Sequence, residues 1–328
     1  ALPASRNAQN QGRVTQGSAE ALLANLYLNA NVFRSSDVNA LAGSPNPCGP
    51  EDCRKALELA EGLINSGQYS LANNWFDNFS TNNEGSPEFL FVVQHDTEDG
   101  LGMNFQMRAL HYNQLTPSPW NGFSTLAETF NQFDDEDLRK QIFLVGQGSN
   151  FVTGNEAQVR CPSPPNCPPL VFTPEIANVE NASEGEGVRI LKFPPDLEAQ
   201  GGSGHGNDYA FFRLGEMYLI AAEAENELNG PTQKAINYLN TLRARVFEPD
   251  QPLALGDFGS KQALRDRIMQ ERLFELTYEA KRRQDLVRHG QFTQPWEFKV
   301  ELGPELVLFP IPQTQLDSNP NLTQNPGY

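Results

Sequence analysis

Three carboxylates recur at four-residue intervals in ERLFELTYEAKRRQDLVRHG, residues 271–290: Glu271, Glu275 and Glu279. On a helix they share one face, and like charges at that spacing oppose helix formation by a few tenths of a kcal/mol each. Three chemistries could justify the arrangement. Paired carboxylates can perform acid–base work. Carboxylates on facing helices can hold a di-metal centre, but that pattern needs Glu-x-x-His pairs, and the chain has none. Alternatively, buried carboxylates paired with arginines can fix the register of packed helices.

A helical wheel at about 100° per residue favours the third reading. For a helix over 261–289, Met269, Leu273, Leu276, Ala280 and Val287 form an apolar face. Phe274 and Tyr278 widen it, while Leu264, Ile268 and Leu286 share the sector of the carboxylates. The helix is therefore expected to be buried on most sides, with its acids paired. Arg282 is the expected partner on the same helix, and Arg213, Arg243 and Arg245 are the expected partners from neighbouring helices.

The elements that must position this helix are also helical. Residues 17–33 and 52–66 form one expected helix pair, with Asp52 as cap and Gly67 as stop. Residues 209–229 and 232–246 form a second, separated by Gly230-Pro231 and capped by Thr232. The pairs share detail: Leu23, Tyr27 and Leu28 match Leu214, Tyr218 and Leu219 in spacing, and Ala56-Leu57 plays the part of Ala235-Ile236. Paired helices with small residues at their crossing are the tetratricopeptide idea. The fold class is thus mainly α, a helix-pair scaffold with an irregular insertion. The chain is read as one domain over 1–328: a helical repeat at 12–70, a loop-rich insertion at 71–208, a second repeat with the carboxylate helix at 209–290, and a tail at 291–328.

Within the insertion, PEFLFVVQHD (87–96) and GEGVRILKFPPD (185–196) read as strands and 124–140 as a short acidic helix. The four cysteines fall in two local pairs, Cys48 with Cys53 and Cys161 with Cys167, in loops rich in Pro, Asn or Gly. Two disulfides of an oxidising compartment are the preferred reading. Zinc is the rival, although C-x4-C and C-x5-C depart from the usual structural spacing; unpaired buried thiols are the third option.

Charge excludes some functions. With 41 acidic and 24 basic residues the net charge is −17, which argues against a nucleic-acid partner and against adhesion to an anionic membrane. No run approaches the roughly 18–20 apolar residues of a membrane span.

The aromatic residues of the insertion suggest a ligand surface. Flat rings cover the C–H face of a sugar, while amides bond its hydroxyls. His111, Tyr112, Asn113, Trp120, Asn121 and Phe123 cluster within 13 residues. Trp75 in ANNWFDNF, beside Asn73, is a second candidate, and Trp296 reads as packing against the tail. DDED at 134–137 leaves calcium open as a cofactor, although the spaced EF-hand loop is missing. His95 with Asp96, Glu98 and Asp99 reads as a polar turn. The sequons at Asn78, Asn181 and Asn321 read as chance.

Several segments together carry a resemblance. Glu271 to Arg288 follows E-R-x-x-E-x-x-x-E-x-x-R-x-x-D-L-x-R and resembles the signature helix of the SusD/RagB family. FRLGEMYLIAAEA (212–224), LNTLRAR (239–245), GRVTQGSAEALLANLYL (12–28) and LFPIPQTQLDSNPNLTQNPGY (308–328) resemble further family segments in the same order. One departure is Arg283, which stands where the family usually has Trp. A second is the start of the chain, where the lipidated cysteine and first helical stretch of family members have no counterpart. The resemblance implies a non-catalytic, surface-exposed outer-membrane lipoprotein of Bacteroidota-type bacteria. Such a protein captures oligosaccharides, or in some relatives peptides, over a SusC-like TonB-dependent transporter. The membrane would be reached only through an N-terminal lipid anchor. Two other classes compete: a tetratricopeptide-type scaffold that binds only protein, and a glycoside hydrolase with carboxylates about 5–10 Å apart across a cleft.

Overall fold

A computed structural model describes residues 2–7, 9–98, 100–198 and 204–328. Helix α1 (Gln16–Leu28) starts where Thr15 and Ser18 exchange backbone-to-hydroxyl hydrogen bonds of 3.1 and 3.2 Å. This reciprocal cap satisfies donors that a helix start leaves orphaned. Gly17 lies against the buried Tyr69 ring, so a Cβ added there would meet the Tyr69 hydroxyl and force the ring to move. Two short helices follow, α2 (Ala30–Arg34) and α3 (Val38–Gly43). The stretch expected as one helix over 17–33 is therefore interrupted at Asn29.

Helix α4 (Pro50–Asn65) begins with Gly49 as its cap and Pro50 in the first turn. Proline suits that position because its missing N–H would be unpaired there anyway. The expected cap, Asp52, is instead drawn to Arg34, 2.6 Å away. Gly67, at φ +69°, ends the segment.

Strand β1 (Phe89–Val93) runs antiparallel to a strand over 209–213, pairing Phe89 with Arg213 and Val93 with Tyr209. The intervening segment holds helices α5 (Phe105–Ala109) and α6 (Ala127–Phe130). It also holds two-residue strands β2 (Phe143–Leu144), β3 (Gly146–Gln147), β4 (Val171–Phe172) and β5 (Arg189–Ile190). β2 pairs with β5 and β3 with β4. The acidic helix expected over 124–140 is thus only α6 and a 3-10 turn at Leu138–Ile142, and the strand expected over 185–196 shrinks to β5. The chain closes this segment with β6 (Tyr209–Arg213), so the helix expected from 209 starts later, as α7 (Leu214–Asn229).

Helix α8 (Gln233–Arg243) follows, its start capped by Thr232, whose hydroxyl accepts from Ala235 N–H at 3.1 Å. Then come α9 (Lys261–Leu276), α10 (Arg282–Arg288) and, in the tail, α11 (Gln313–Ser318). Among the described residues no helix is long and apolar enough to cross a membrane.

The fold is a mainly helical, tetratricopeptide-like scaffold. α1 packs on α4, α4 on α7, and α7 on both α8 and α9. Alanines at these crossings, Ala21, Ala24, Ala56, Ala60, Ala221 and Ala224, are fully buried, which lets the backbones approach closely. A second core is aromatic and joins the insertion to α9: Trp75, Phe79, Phe133, Phe143, Phe193 and Phe274.

The helix expected over 261–289 breaks after Leu276. Tyr278 and Ala280 take left-handed conformations, at φ +66° and +59°. Neither is glycine, and such conformations cost on the order of 1–2 kcal/mol per residue. Donors from elsewhere compensate by taking the carbonyls at the helix end. Arg213 donates to Glu275 O at 2.7 Å, Lys192 to Thr277 O at 2.8 Å, and the Tyr209 hydroxyl to Glu279 O at 2.7 Å.

Candidate functional site

Glu271 and Glu275 lie one turn apart on α9, while Glu279 follows in the turn. All three are buried. Glu275 Oε1 accepts from Arg213 Nη1 at 2.6 Å, Arg245 Nη2 at 2.5 Å and Trp75 Nε1 at 3.0 Å. Its Oε2 accepts from Arg139 Nη1 at 3.2 Å. Glu271 accepts from Arg139 at 2.7 Å, Arg267 at 2.8 Å and Arg243 at 3.4 Å. Glu279 accepts from Arg213 at 2.8 Å and Lys192 at 2.5 Å. Glu88 joins through Arg245 and Arg213, and Asp137 through Arg139.

Burial alone would discourage charge on Glu275, but Arg245, Arg213 and Arg139 outweigh it and hold the carboxyl well below its ordinary range. The same contest lowers Glu271 through Arg139, Arg267 and Arg243, and Glu279 through Arg213 and Lys192. Burial pushes the Lys192 ammonium down to about 8 against the pull of Glu279. These acids are closed off from solvent and already bonded to cations, so they offer no substrate an open carboxylate. Arg282 is not among their partners. It donates to Met269 O at 3.2 Å, because the break after Leu276 rotates α10 away from the carboxylate sector.

A second buried network ties α7 to α10. Arg288 donates to Glu223 at 2.8 and 2.9 Å and to Asp285 at 2.9 Å, and Arg272 donates to Asp285 at 2.8 Å. Charge pairing therefore locks both halves of the 261–288 segment to the scaffold.

The aromatic and amide candidates separate in space. Trp75, 1% exposed, packs between Phe76 and Phe79 and serves Glu275, so it offers no ring to a ligand. Its neighbour Asn73 is exposed. His111 is buried: its Nδ1 accepts from Asn113 N–H at 3.2 Å, and its Nε2 faces Glu184 Oε2 at 2.8 Å. Burial lowers the imidazole pKa even though Glu184 pulls it up. Asn121 accepts from Arg189 Nε at 2.9 Å, an anchoring contact. His111 and Asn121 therefore support the loop from within.

Four positions lie nearer to solvent. Trp120 is 45% and Phe123 51% exposed, and Tyr112 and Asn113 line a polar cleft of about 530 Å³ with Asn150, Asn155 and Gln158. Residues 120–123 are pinned to α5 by backbone bonds: Trp120 to Met107, Asn121 to Leu110, and Gly122 and Phe123 to Arg108. Beside Phe123 a cavity of about 650 Å³ opens, walled by Phe105, Arg108, Tyr209 and the strained Tyr278. Burial raises the Tyr278 hydroxyl to about 12, so the ring stays neutral at physiological pH. Arg108, Tyr209 and Tyr278 had no local signal as site residues, because β6 and the break after α9 bring them to α5. Trp296 and Leu126 line a neighbouring cavity of about 490 Å³, which shares Tyr278 and Arg282 with the cavity beside Phe123.

The cysteines are joined as Cys48–Cys53 and Cys161–Cys167. In the acidic run, Asp135 pairs with Lys140 at 2.6 Å and Asp137 turns inward to Arg139, so the four carboxylates do not converge. Among the described residues no group of three or more His, Cys, Asp or Glu is placed to hold a metal ion. In the 95–99 turn, His95 N–H bonds Asp208 at 2.9 Å; Asp99 lies outside the described residues.

A helix-pair scaffold carrying a loop-borne aromatic surface defines the class of this protein. Residues 28–328 match the SusD family, and the chain belongs to that family. SusD-like protein P25 of Formosa agariphila is 38% identical over 136 residues, a match spanning 38% of this chain and 25% of that protein. The starch-binding protein SusD of Bacteroides thetaiotaomicron is 31% identical over 130 residues, spanning 37% and 22%. Matches of this kind cover less than half the length of these relatives. Among solved structures, a SusD superfamily protein from Parabacteroides distasonis aligns with a TM-score of 0.72 at 21% identity, covering 100% of this chain and 65% of that one. Surface glycan-binding protein A from Bacteroides thetaiotaomicron, in complex with laminarihexaose, aligns with a TM-score of 0.72 at 20% identity, covering 99% and 66%. These structural likenesses establish the fold.

Proposed function

We propose that this chain captures oligosaccharides without transforming them and delivers them to a SusC-like TonB-dependent transporter at the outer surface of a Bacteroidota-type cell. The observation that carries the reading is the pair of exposed rings on the 120–123 segment: Phe123 lines the cavity of about 650 Å³, and Trp120 stacks on Arg108 of the same wall. Rings of this kind cover sugar C–H faces, and a cleft of mixed amides and aromatics supplies the hydrogen bonds that orient hydroxyls. The names of a relative and of a structural neighbour point the same way, the first a starch-binding protein and the second a surface glycan-binding protein solved with laminarihexaose. A non-catalytic role agrees with carboxylates committed to arginines rather than facing each other across a cleft.

A glycan-array screen of the protein beside Trp120→Ala tests the capture step. Binding that falls in the variant is the expected result. Binding only to peptides would move the function to peptide capture. No binding to glycan or peptide would leave a scaffold that contacts protein alone and would sink the proposal. Delivery is tested separately, by co-purification with a transporter of the TonB-dependent class.

A further inference from the structure

The cavity beside Phe123 has a charge composition at odds with the rest of the chain. Its wall carries Arg108, Lys281, Arg282 and Arg283 and no carboxylate among the described residues. The chain as a whole has 41 acidic against 24 basic residues. The four other cavities described each have an acid in the wall: Glu128, Glu156, Asp257 or Glu279.

Three of the four cations contact only neutral groups. Arg108 donates to Asn104 Oδ1 at 3.0 Å and lies over the Trp120 ring at 5.3 Å. Arg282 donates to a backbone carbonyl, and Arg283 donates to the carbonyls of Leu306 and Val307. Lys281 is the exception, paired with Glu216 at 2.9 Å. Asp285 acts on Arg282 through space, but its oxygens already accept from Arg272 and Arg288. Deeper in the same fold, Arg139, Arg213 and Arg288 all meet carboxylates directly. Arg282 and Arg283 are half-buried, and a half-buried guanidinium without a counter-charge carries a desolvation cost that an incoming anion would offset; Arg108, exposed at the rim, adds charge without that cost. Guanidinium also matches carboxylate and sulfate oxygens with two parallel donors. The net charge of −17 repels anions at long range, but at physiological salt that field is screened beyond about 8 Å. Contact therefore reads the local patch.

We propose that this cavity binds the acidic units of an anionic oligosaccharide, a sugar bearing a carboxylate or a sulfate ester. Phe105 and Tyr278 cover the C–H face of the ring while Arg108 and Arg282 hold its anionic group. The inference rests on the oligosaccharide-capture reading and names the substrate class.

Calorimetric titration tests it with four probes: oligogalacturonate, the same oligomer as its methyl ester, κ-carrageenan oligosaccharide, and laminarihexaose as neutral control. The expected result is at least 10-fold tighter binding of one anionic probe than of both neutral ones, weakening as salt rises. Preference for oligogalacturonate over its ester assigns the carboxylate; preference for carrageenan assigns the sulfate. Arg108→Gln changes an exposed side chain and should cost about 10-fold in affinity for that probe while leaving the unfolding midpoint unchanged. Arg282→Lys keeps the charge but not the fork, and should lower affinity without abolishing the preference. Equal binding of acid and ester with no carrageenan preference would overturn the inference, as would full affinity in Arg108→Gln. Binding of laminarihexaose alone, lost in Trp120→Ala, would leave oligosaccharide capture standing while this inference fell. Binding of none of the four would overturn it together with the capture reading for these sugars.

Discussion

Trp75 and Trp120 are chemically identical, as are Arg213 and Arg108, yet each pair is divided between two regions with opposite physics. Around α9, Trp75 and Arg213 are buried and bonded to Glu275. Around α5, Trp120 and Arg108 are exposed, and the arginine contacts an amide and a ring. The first region pairs its buried carboxylates with cations internally and so holds two helices and an insertion in one register. The second leaves rings and cations unsatisfied, which is the condition for binding something else. What a residue type can do here is decided by partnership and burial.

That contrast breaks first if the α9 region proves dispensable. Glu275→Ala removes one of the two carboxylates that Arg213 and Arg245 share and leaves only Glu88 between them, and removing one partner of a buried ion pair costs about 3–5 kcal/mol. Urea unfolding should show the loss as a lowered midpoint. A change below about 1 kcal/mol would mean that water or rearrangement replaces the carboxylate, and that the two regions do not differ in how their charges are held.

Acid should act on the same region. The folded-state pKa values of Glu271, Glu275 and Glu279 all lie below the ordinary glutamate range. A carboxyl depressed in the fold contributes stability that is fully present above its unfolded pKa of about 4.3 and is lost as pH falls through the folded value. The urea midpoint should therefore hold from pH 7 to about 5 and decline progressively below about 4. A midpoint flat from pH 7 to 3 would contradict the shifts.

A smaller effect separates the two tryptophans. Trp75→Phe keeps an aromatic ring in the core but deletes the indole N–H that Glu275 accepts at 3.0 Å. Loss of one donor to a buried charge costs on the order of 1–3 kcal/mol. The lower part of that range is expected, because Arg213 and Arg245 still bond the same oxygen. Near-neutral stability would show that the indole contributes only volume.

Much of the scaffold was legible because its determinants are local. Thr232 caps α8 from the adjacent residue, and the buried alanines of α1, α4 and α7 recur at helical spacing. The carboxylate row of α9 was legible as paired because apolar neighbours share its sector. The failures have distant causes. Tyr278 and Ala280 look helical in sequence, yet Lys192, Tyr209 and Arg213 reach in from far along the chain and end the helix. Trp75 sits in a polar stretch that reads as surface, and the partner that buries it lies 200 residues away. The cavity beside Phe123 was illegible for the same reason: α5, β6 and the turn after α9 each supply part of its wall.

The smallest expected change in stability belongs to the ring that most clearly divides the two regions, Trp120. Trp120 sits on the outside of the 120–123 segment, and its structural anchor is a backbone bond to Met107 at 2.7 Å that any side chain preserves. Trp120→Ala should therefore shift stability by no more than about 0.5 kcal/mol, the range of ordinary surface substitutions. If the ring is a binding platform, the same change should weaken ligand by about 2 kcal/mol, roughly 30-fold, as expected for an aromatic anchor at an interface. Measured side by side, Trp75→Phe should unfold earlier and still bind, while Trp120→Ala should unfold normally and bind poorly. The reverse pattern would place the ligand against the α9 region and leave the exposed rings without a role. Loss of both properties in either variant would show that the two regions are coupled, since a distortion of the 107–123 segment would then have reached α9 through Phe105 and Tyr278, whose ring centroids lie 5.3 Å apart.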